Sequence, residues 1–307
     1  MLATVYFKGE LMKKTSISRK IFVIFNYTIL AAIMIISIIP IINVLATSFS
    51  SSEYISSDQV TLWPKGFTTA AYHYVMNQAE FWASVWVTMK RMIISIPLTL
   101  VLTILAAYPL SKPKSEFKAR GFYVTFLMIT MIFNGGLVPT YMLVHSLGLF
   151  DTIWALVLPG AVNVFNIILV MNFFRGLPKA IEESAIMDGA GQFTIMLKIF
   201  IPLSKASIAT ITLFSIINNW NSWYDGLLYN NYTESYPLQT YLQSLLNMTS
   251  DLSTMMKDVQ SIIDRQAITA RNLTAAQIFI SIIPLMCAYP FLQKYFAKGL
   301  TLGSVKE

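Results

Sequence analysis

Long apolar runs alternate with short polar joints along most of the 307 residues. The first run, Ile21 to Ala46, is about 26 residues, enough to cross a ~30 Å hydrocarbon core at 1.5 Å per residue. A cleaved signal peptide carries only ~7–15 apolar residues, so an uncleaved anchor helix is expected. A second span runs from about Thr88 to Leu110, and Lys90 and Arg91 near its start are expected to snorkel to the interface. A third, about Phe117 to Asn134, ends at Asn134-Gly135-Gly136, and Pro139 forbids a simple continuation. Leu137 to Leu149 reads as a short surface helix. Asp151-Thr152 then caps a fourth span reaching Phe174. A fifth runs from about Ala206 to Leu228, and a polar stretch, 230–273, leads to a sixth, about Ala275 to Phe296.

Composition agrees with that pattern. Apolar residues make up 55% of the chain and charged ones only 12%, against ~25% charged in soluble domains. The expected fold class is an all-α integral membrane protein, a single domain over 1–307 with its core at about 80–297. Met12 would serve as a start as well as Met1. The one cysteine, Cys287, lies in an apolar run, so there is no disulfide framework. The net charge of +7 does not form one patch, which argues against nucleic acid. Lysine and arginine flank the spans instead. Lys65, Lys90, Arg91, Lys257, Arg265 and Arg271 fall on one side and the remainder of the 22 on the other. Basic residues stay inside during insertion. Six spans with both termini cytoplasmic follow, with 175–205 inside and 230–273 outside.

The longest polar interruption between two apolar segments is Arg175 to Lys205. Pro178 can open a helix because its missing N–H would be unpaired there anyway. Glu182 and Glu183 suit the positive end of the helix dipole. Ser184, Ala185, Ile186 and Met187 continue the turn, followed by Asp188, Gly189, Ala190 and Gly191, whose glycines end it. Phe193, Met196, Leu197 and Phe200 then recur at helical spacing until Pro202. On propensity alone this is a capped connector of two short helices outside the membrane.

No catalytic constellation is present. The chain lacks G-x-x-x-x-G-K-[ST] for nucleotide phosphates, and H-E-x-x-H or a cysteine cluster for a metal. His73 and His145 are far apart, and the Glu182/Glu183 pair and Asp188 have no histidine or lysine arranged for acid–base work. An enzyme is a distant alternative. Polar groups inside spans are costly and mark a cavity or partner. Asn163 and Asn166 are three apart in the fourth span. In the fifth, Asn218, Asn221 and Asp225 share one stripe, with Trp220, Trp223 and Tyr224 on the next. Aromatic faces beside amide and carboxylate groups suit sugar rings, while an interfacial aromatic belt accounts for the tryptophans alone.

Glu183-Ser184-Ala185, three residues, Gly189, nine residues, then Ile199-Phe200-Ile201-Pro202 resembles the EAA loop of ABC importer permeases. It departs from that pattern at Ser184 for Ala and Ile201 for Leu. Asn134 to Tyr141, Ser146 to Leu149, Trp154 to Gly160 and Asn219 to Trp223 are similar to its carbohydrate branch, and the likeness covers roughly 15–307. The resemblance implies a type I importer permease fold in the cytoplasmic membrane, paired as a heterodimer with a second homologous permease. It also implies two ATPase subunits, which bind the ATP and Mg, and an extracytoplasmic solute-binding protein. This chain itself would bind no cofactor. The loop would be the coupling helix, with Glu182 to Ala185 and Asp188 to Ala190 meeting the ATPase and Glu183 and Gly189 matching its recognition positions. The cargo would be an oligosaccharide or polysaccharide fragment, neutral or acidic. Rival readings are an ion-coupled secondary sugar transporter, for which only Asp225 offers a coupling carboxylate, and a non-transporting scaffold.

Overall fold

The computed structural model describes residues 17–255, 269 and 271–286, and every regular element among them is helical. Met12, Cys287, the basic residues Lys8, Lys13, Lys14, Lys257, Arg265, Lys294 and Lys298, and the 287–296 end of the sixth span lie outside the described residues. Two compact units divide the chain: Met1–Ala71 with Asp264–Ala276, and Tyr72–Ile263 with Gln277–Glu307.

In the first unit, helix α1 (Ile17–Ser48) contains the expected first span and leaves most of its apolar surface exposed. Its end is tied down locally. Ser50 Oγ donates to Ala46 O at 2.7 Å and accepts from Lys65 N at 3.1 Å. Phe49 and Phe67 stack with centroids 5.3 Å apart. The turn between them needs Gly66, whose φ is +60° and where a Cβ would sit 2.4 Å from Ser51 Oγ.

The second unit is built around one rod, α2 (Ala79–Ser111, 33 residues). It starts nine residues before the expected Thr88, because Ala79 to Val87 has no Gly or Pro to delay a helix. Next come α3 (Arg120–Ile132) and α4 (Leu137–Ser146), bent by 110° across a joint where Gly136 has φ +90°. α5 (Val164–Arg175) and α6 (Lys179–Met187) meet at 75°. α7 (Gln192–Leu203), whose middle turn Met196–Phe200 is π-wound, meets α8 (Lys205–Asn221) at 80°. The last helices are α9 (Tyr224–Tyr229), α10 (Leu238–Met255) and α11 (Arg271–Met286), of which Gln277 onward belongs to this unit.

Among the described residues, α1 and α2 are each long and apolar enough to cross a membrane, and each of the three bent pairs passes the same test as a pair. Two expected spans are broken. The fourth is a short helix, Ile153–Val157, then α5, because Pro159-Gly160 interrupts it. The fifth stops at Asn221 instead of Leu228, where the Asp225 carboxylate takes the Ser222 hydroxyl and the Gly226 N–H at 2.8 and 2.9 Å.

α2 packs against α5 and α8 through small hydroxyl residues. Ser84, Thr88, Ser95, Thr99 and Thr103 are all buried along one face of α2, and Ser207 and Ser215 are buried on α8. Lipid is as apolar as a leucine side chain, so burying oil gains little here, and close backbone approach past small residues gives more. Thr88 donates to Ser84 O at 3.1 Å and accepts from Leu238 N at 2.8 Å, whereas the Thr103 and Ser207 hydroxyls are buried without a hydrogen-bond partner. At the other end of α2, Tyr108, Ile167, Val170, Phe174, Ala185, Ile195, Phe200 and Ile211 form one core cluster. The loop helices α6 and α7 therefore join the same packing as α2 and α5. Tyr241 in α10 donates to Gln78 Oε1 at 3.2 Å, and burial raises its phenol above the ordinary range, so it stays a donor.

Candidate functional site

The polar loop folds as its residues dictate. Pro178 precedes α6 with φ −62° and ψ 124°. Glu182 lies in the first turn. Asp188 caps the end, Gly189 takes φ +79°, Gly189 N donates to Ile186 O at 3.0 Å and Ala190 N to Ala185 O at 2.9 Å. That pair of bonds is a Schellman closure, in which glycine accepts the left-handed angle. Ala185 is buried in the core and Ala190 half-buried, while Ser184 bonds back to Ala180 O at 2.7 Å. Glu183, Ser184, Asp188 and Gly189 are exposed, beside Met187 at 86% and Phe193 at 71% exposure. Exposed apolar side chains together with exposed carboxylates on the same loop have the make-up of a docking surface.

Glu182 does not join that edge. Its carboxylate turns inward to an ion pair with Lys112, and the two side chains are only 17% and 7% exposed. A lysine thus stands beside the acidic pair as an ion-pair partner, which the sequence pattern did not indicate. Lys112 is 70 residues away in sequence, and only the fold brings it back. The Lys112 ammonium also sits 4.4 Å from the Tyr108 ring centroid and 4.8 Å from that of Phe200.

A second ion pair corrects the reading of Arg91. The side chain is 7% exposed and does not snorkel, whereas Lys90 is exposed as expected. Arg91 Nε donates to Asn219 Oδ1 at 3.0 Å, and Nη2 pairs with Asp225. Nη1 is buried without a hydrogen-bond partner. Asn219 lies before the break in the fifth span and Asp225 after it, so one guanidinium from α2 braces both sides.

The polar and aromatic residues expected to mark a sugar-binding cavity, the substrate path, are thereby separated. Asn218 and Asn221 are exposed on α8, Trp223 and Tyr224 are exposed at the break with rings 5.4 Å apart, and Asp225 is half-buried on Arg91. The single stripe of Asn218, Asn221 and Asp225 does not form, because the helix ends between them. Trp220 is 4% exposed and offers no face to a ligand. Asn163 caps α5, its Oδ1 accepting from Asn166 N at 3.1 Å, and Asn166 is buried at 3% exposure. Asn at the start of an apolar run was itself the signal for that cap. Trp220→Ala should then cost about 3–5 kcal/mol of stability, the usual cost of a large buried aromatic. Trp223→Ala and Tyr224→Ala should leave thermal unfolding of the purified protein within about 1 kcal/mol of wild type, as at exposed sites. Equal destabilisation by all three would contradict these placements.

Comparison with known proteins follows the same direction. No family model matches the chain. Protein LplC of Bacillus subtilis (strain 168) is 36% identical over 94% of this chain and 95% of its own length. The polygalacturonan/rhamnogalacturonan transport system permease protein YtcP of the same strain is also 36% identical, over 94% of this chain and 99% of its own. The chain belongs to the sugar permeases of ABC transporters. A chain from the crystal structure of a bacterial ABC transporter involved in import of the acidic polysaccharide alginate superposes on this permease with a TM-score of 0.82. That chain is 31% identical to it, and the match covers 93% of the permease and 100% of that chain. A chain of an alginate transporter solved in complex with an alginate pentasaccharide-bound periplasmic protein shares the fold alone, at a TM-score of 0.54 and 15% identity. As a family member the permease is a transport component of the cell membrane, the place its apolar helices require.

Proposed function

We propose that this permease is one half of the translocation pathway of a binding-protein-dependent importer and that its cargo is a uronate-containing oligosaccharide. The observation that carries the cargo is a shared chemistry: one relative is named for polygalacturonan and the superposed structure is from an alginate importer, and both polymers are acidic. A second permease, two ATPase subunits holding ATP and Mg, and an extracytoplasmic binding protein complete the proposed complex. The chain would cross the membrane six times with both termini in the cytoplasm, and α6 would present Glu183, Met187, Asp188, Gly189 and Phe193 to an ATPase. Tied into α2, Asp225 is not free to serve as a coupling carboxylate, which weighs against an ion-driven carrier.

Two measurements test the proposal. The complete complex in proteoliposomes should accumulate tri-galacturonate with ATP inside and binding protein outside, and should not do so on an ion gradient alone. Uptake of a neutral trisaccharide in its place would overturn the acidic assignment. For topology, in a Cys287→Ser background, a cysteine at Thr233 should react with an impermeant thiol reagent from outside and one at Ser115 should not. The reverse pattern would overturn the orientation.

A further inference from the structure

We infer that Lys112 and Glu182 are positioning residues that fix the angle of the coupling helix on α2, and that Glu182 is not itself a contact for the ATPase. The inference rests on the docking role proposed above for the exposed edge of α6. α6 turns from α5 through 75° at one end, and at the other end it reaches α8 only through α7, itself bent 80° from α8. Besides its joints, α6 is anchored by the buried Ala185, a single small side chain that leaves a short helix room to tilt, so a further support is needed to fix its angle. The ion pair supplies one. Lys112 stands at the C-terminal end of α2 and Glu182 in the first turn of α6, so each charge also meets the favourable end of its own helix dipole.

The support is stiff because its surroundings are. Tyr108, Phe174 and Phe200 pack edge to face in a closed triangle, with centroids 5.1, 5.4 and 6.4 Å apart. Tyr108 and Phe200 lie under the ammonium, and the Tyr108 hydroxyl donates to Gln192 Oε1 at 2.7 Å in the first turn of α7. Both loop helices are thus referred to the same end of α2. A buried ion pair adds little net stability over an apolar replacement, and its better-attested use is to specify one arrangement. Here the arrangement specified is the attitude of α6. A push on Met187 and Phe193 then moves α2 together with α5 and α8, and the loop does not swivel in place. Adjacent glutamates divide the labour: Glu183 faces out and Glu182 faces in.

The test uses the whole complex in lipid nanodiscs and proteoliposomes, with Glu182→Gln, Lys112→Met and the exchanged pair Lys112→Glu/Glu182→Lys. Spin labels on cysteines at Ser115 and Lys179, both exposed, report the attitude of α6 by pulsed distance measurement. In Glu182→Gln, the ATPase should still co-purify and hydrolyse ATP. The label distribution should broaden, and tri-galacturonate moved per ATP should fall on the order of tenfold, as for loss of a buried charged coupling. The exchanged pair should narrow the distribution again and recover part of the transport. Loss of ATPase co-purification with an unbroadened distribution would make Glu182 a docking contact and overturn the inference. Unchanged distribution and unchanged transport per ATP would overturn it as well. Failure of the docking proposal is read separately, from full ATPase retention in Glu183→Ala.

Discussion

Replacing Arg91 with methionine is expected to be among the most damaging single changes in the second unit. It strands the Asp225 carboxylate and the Asn219 amide at a break in the chain, with only Ser222 and Gly226 still bonded to Asp225. Removing one partner of a buried pair costs about 3–5 kcal/mol, because the other charge stays behind without compensation. Asp225→Asn should cost less, since an amide still accepts from the guanidinium. Arg91→Met combined with Asp225→Asn should lie closer to wild type than Arg91→Met alone. Thermal unfolding of the purified permease in detergent measures all three. Equal losses in Arg91→Met and the double variant would show that Arg91 acts by its bulk and not through Asp225. Lysine at 91 should rescue only in part, since a point charge cannot bridge two acceptors as the planar fork does.

The second large effect is expected at Gly189. No atom lies within 4 Å of a Cβ built there, so a side chain meets open space and the penalty is in the backbone. At φ +79° an L-residue costs roughly 1–2 kcal/mol, and a β-branched one more. Gly189→Asn should therefore be mild, Gly189→Ala intermediate and Gly189→Val severe, read as ATPase co-purification and ATP-driven uptake. Asparagine is also larger than alanine. An order following side-chain volume would mean that the surface at Gly189, and not its backbone angle, is what the partner reads.

The loop was legible in the sequence because its signals are local. Pro178, the acidic first turn, Gly189 and Pro202 each act on the few residues around them, and α6 with its Schellman closure appears where they place it. The two ion pairs were not legible. Lys90 and Arg91 look alike as neighbours near the end of an apolar run, and only one of them faces α8. The partner that decides this, Asp225, is 134 positions away. Lys112 is one of four basic residues between Ser111 and Arg120, with nothing in the local pattern to mark it, yet its ammonium lies over the Tyr108 and Phe200 rings. Broken spans fell between these cases. Pro159-Gly160 was a visible breaker in the fourth, but the break in the fifth depends on a carboxylate held by another helix. By spacing, Asn163 and Asn166 read as polar residues marking a cavity or partner, whereas one is the cap of the helix that buries the other.

Arg91 and Lys112 belong to one rod, 21 positions apart, or about 31 Å at 1.5 Å per residue. Each must meet a fixed carboxylate, so the stretch between them works as a gauge block. Substitutions within it change fit, but a one-residue deletion would swing one end about 100° against the other and disengage a pair. Inserting seven residues would nearly restore the phase, to within ~20°, yet would push the ends apart by about 10 Å. Chimaeras with related permeases should accordingly take their joints outside this stretch, and natural length variation in the chain is expected to fall in the joints and not between these two residues.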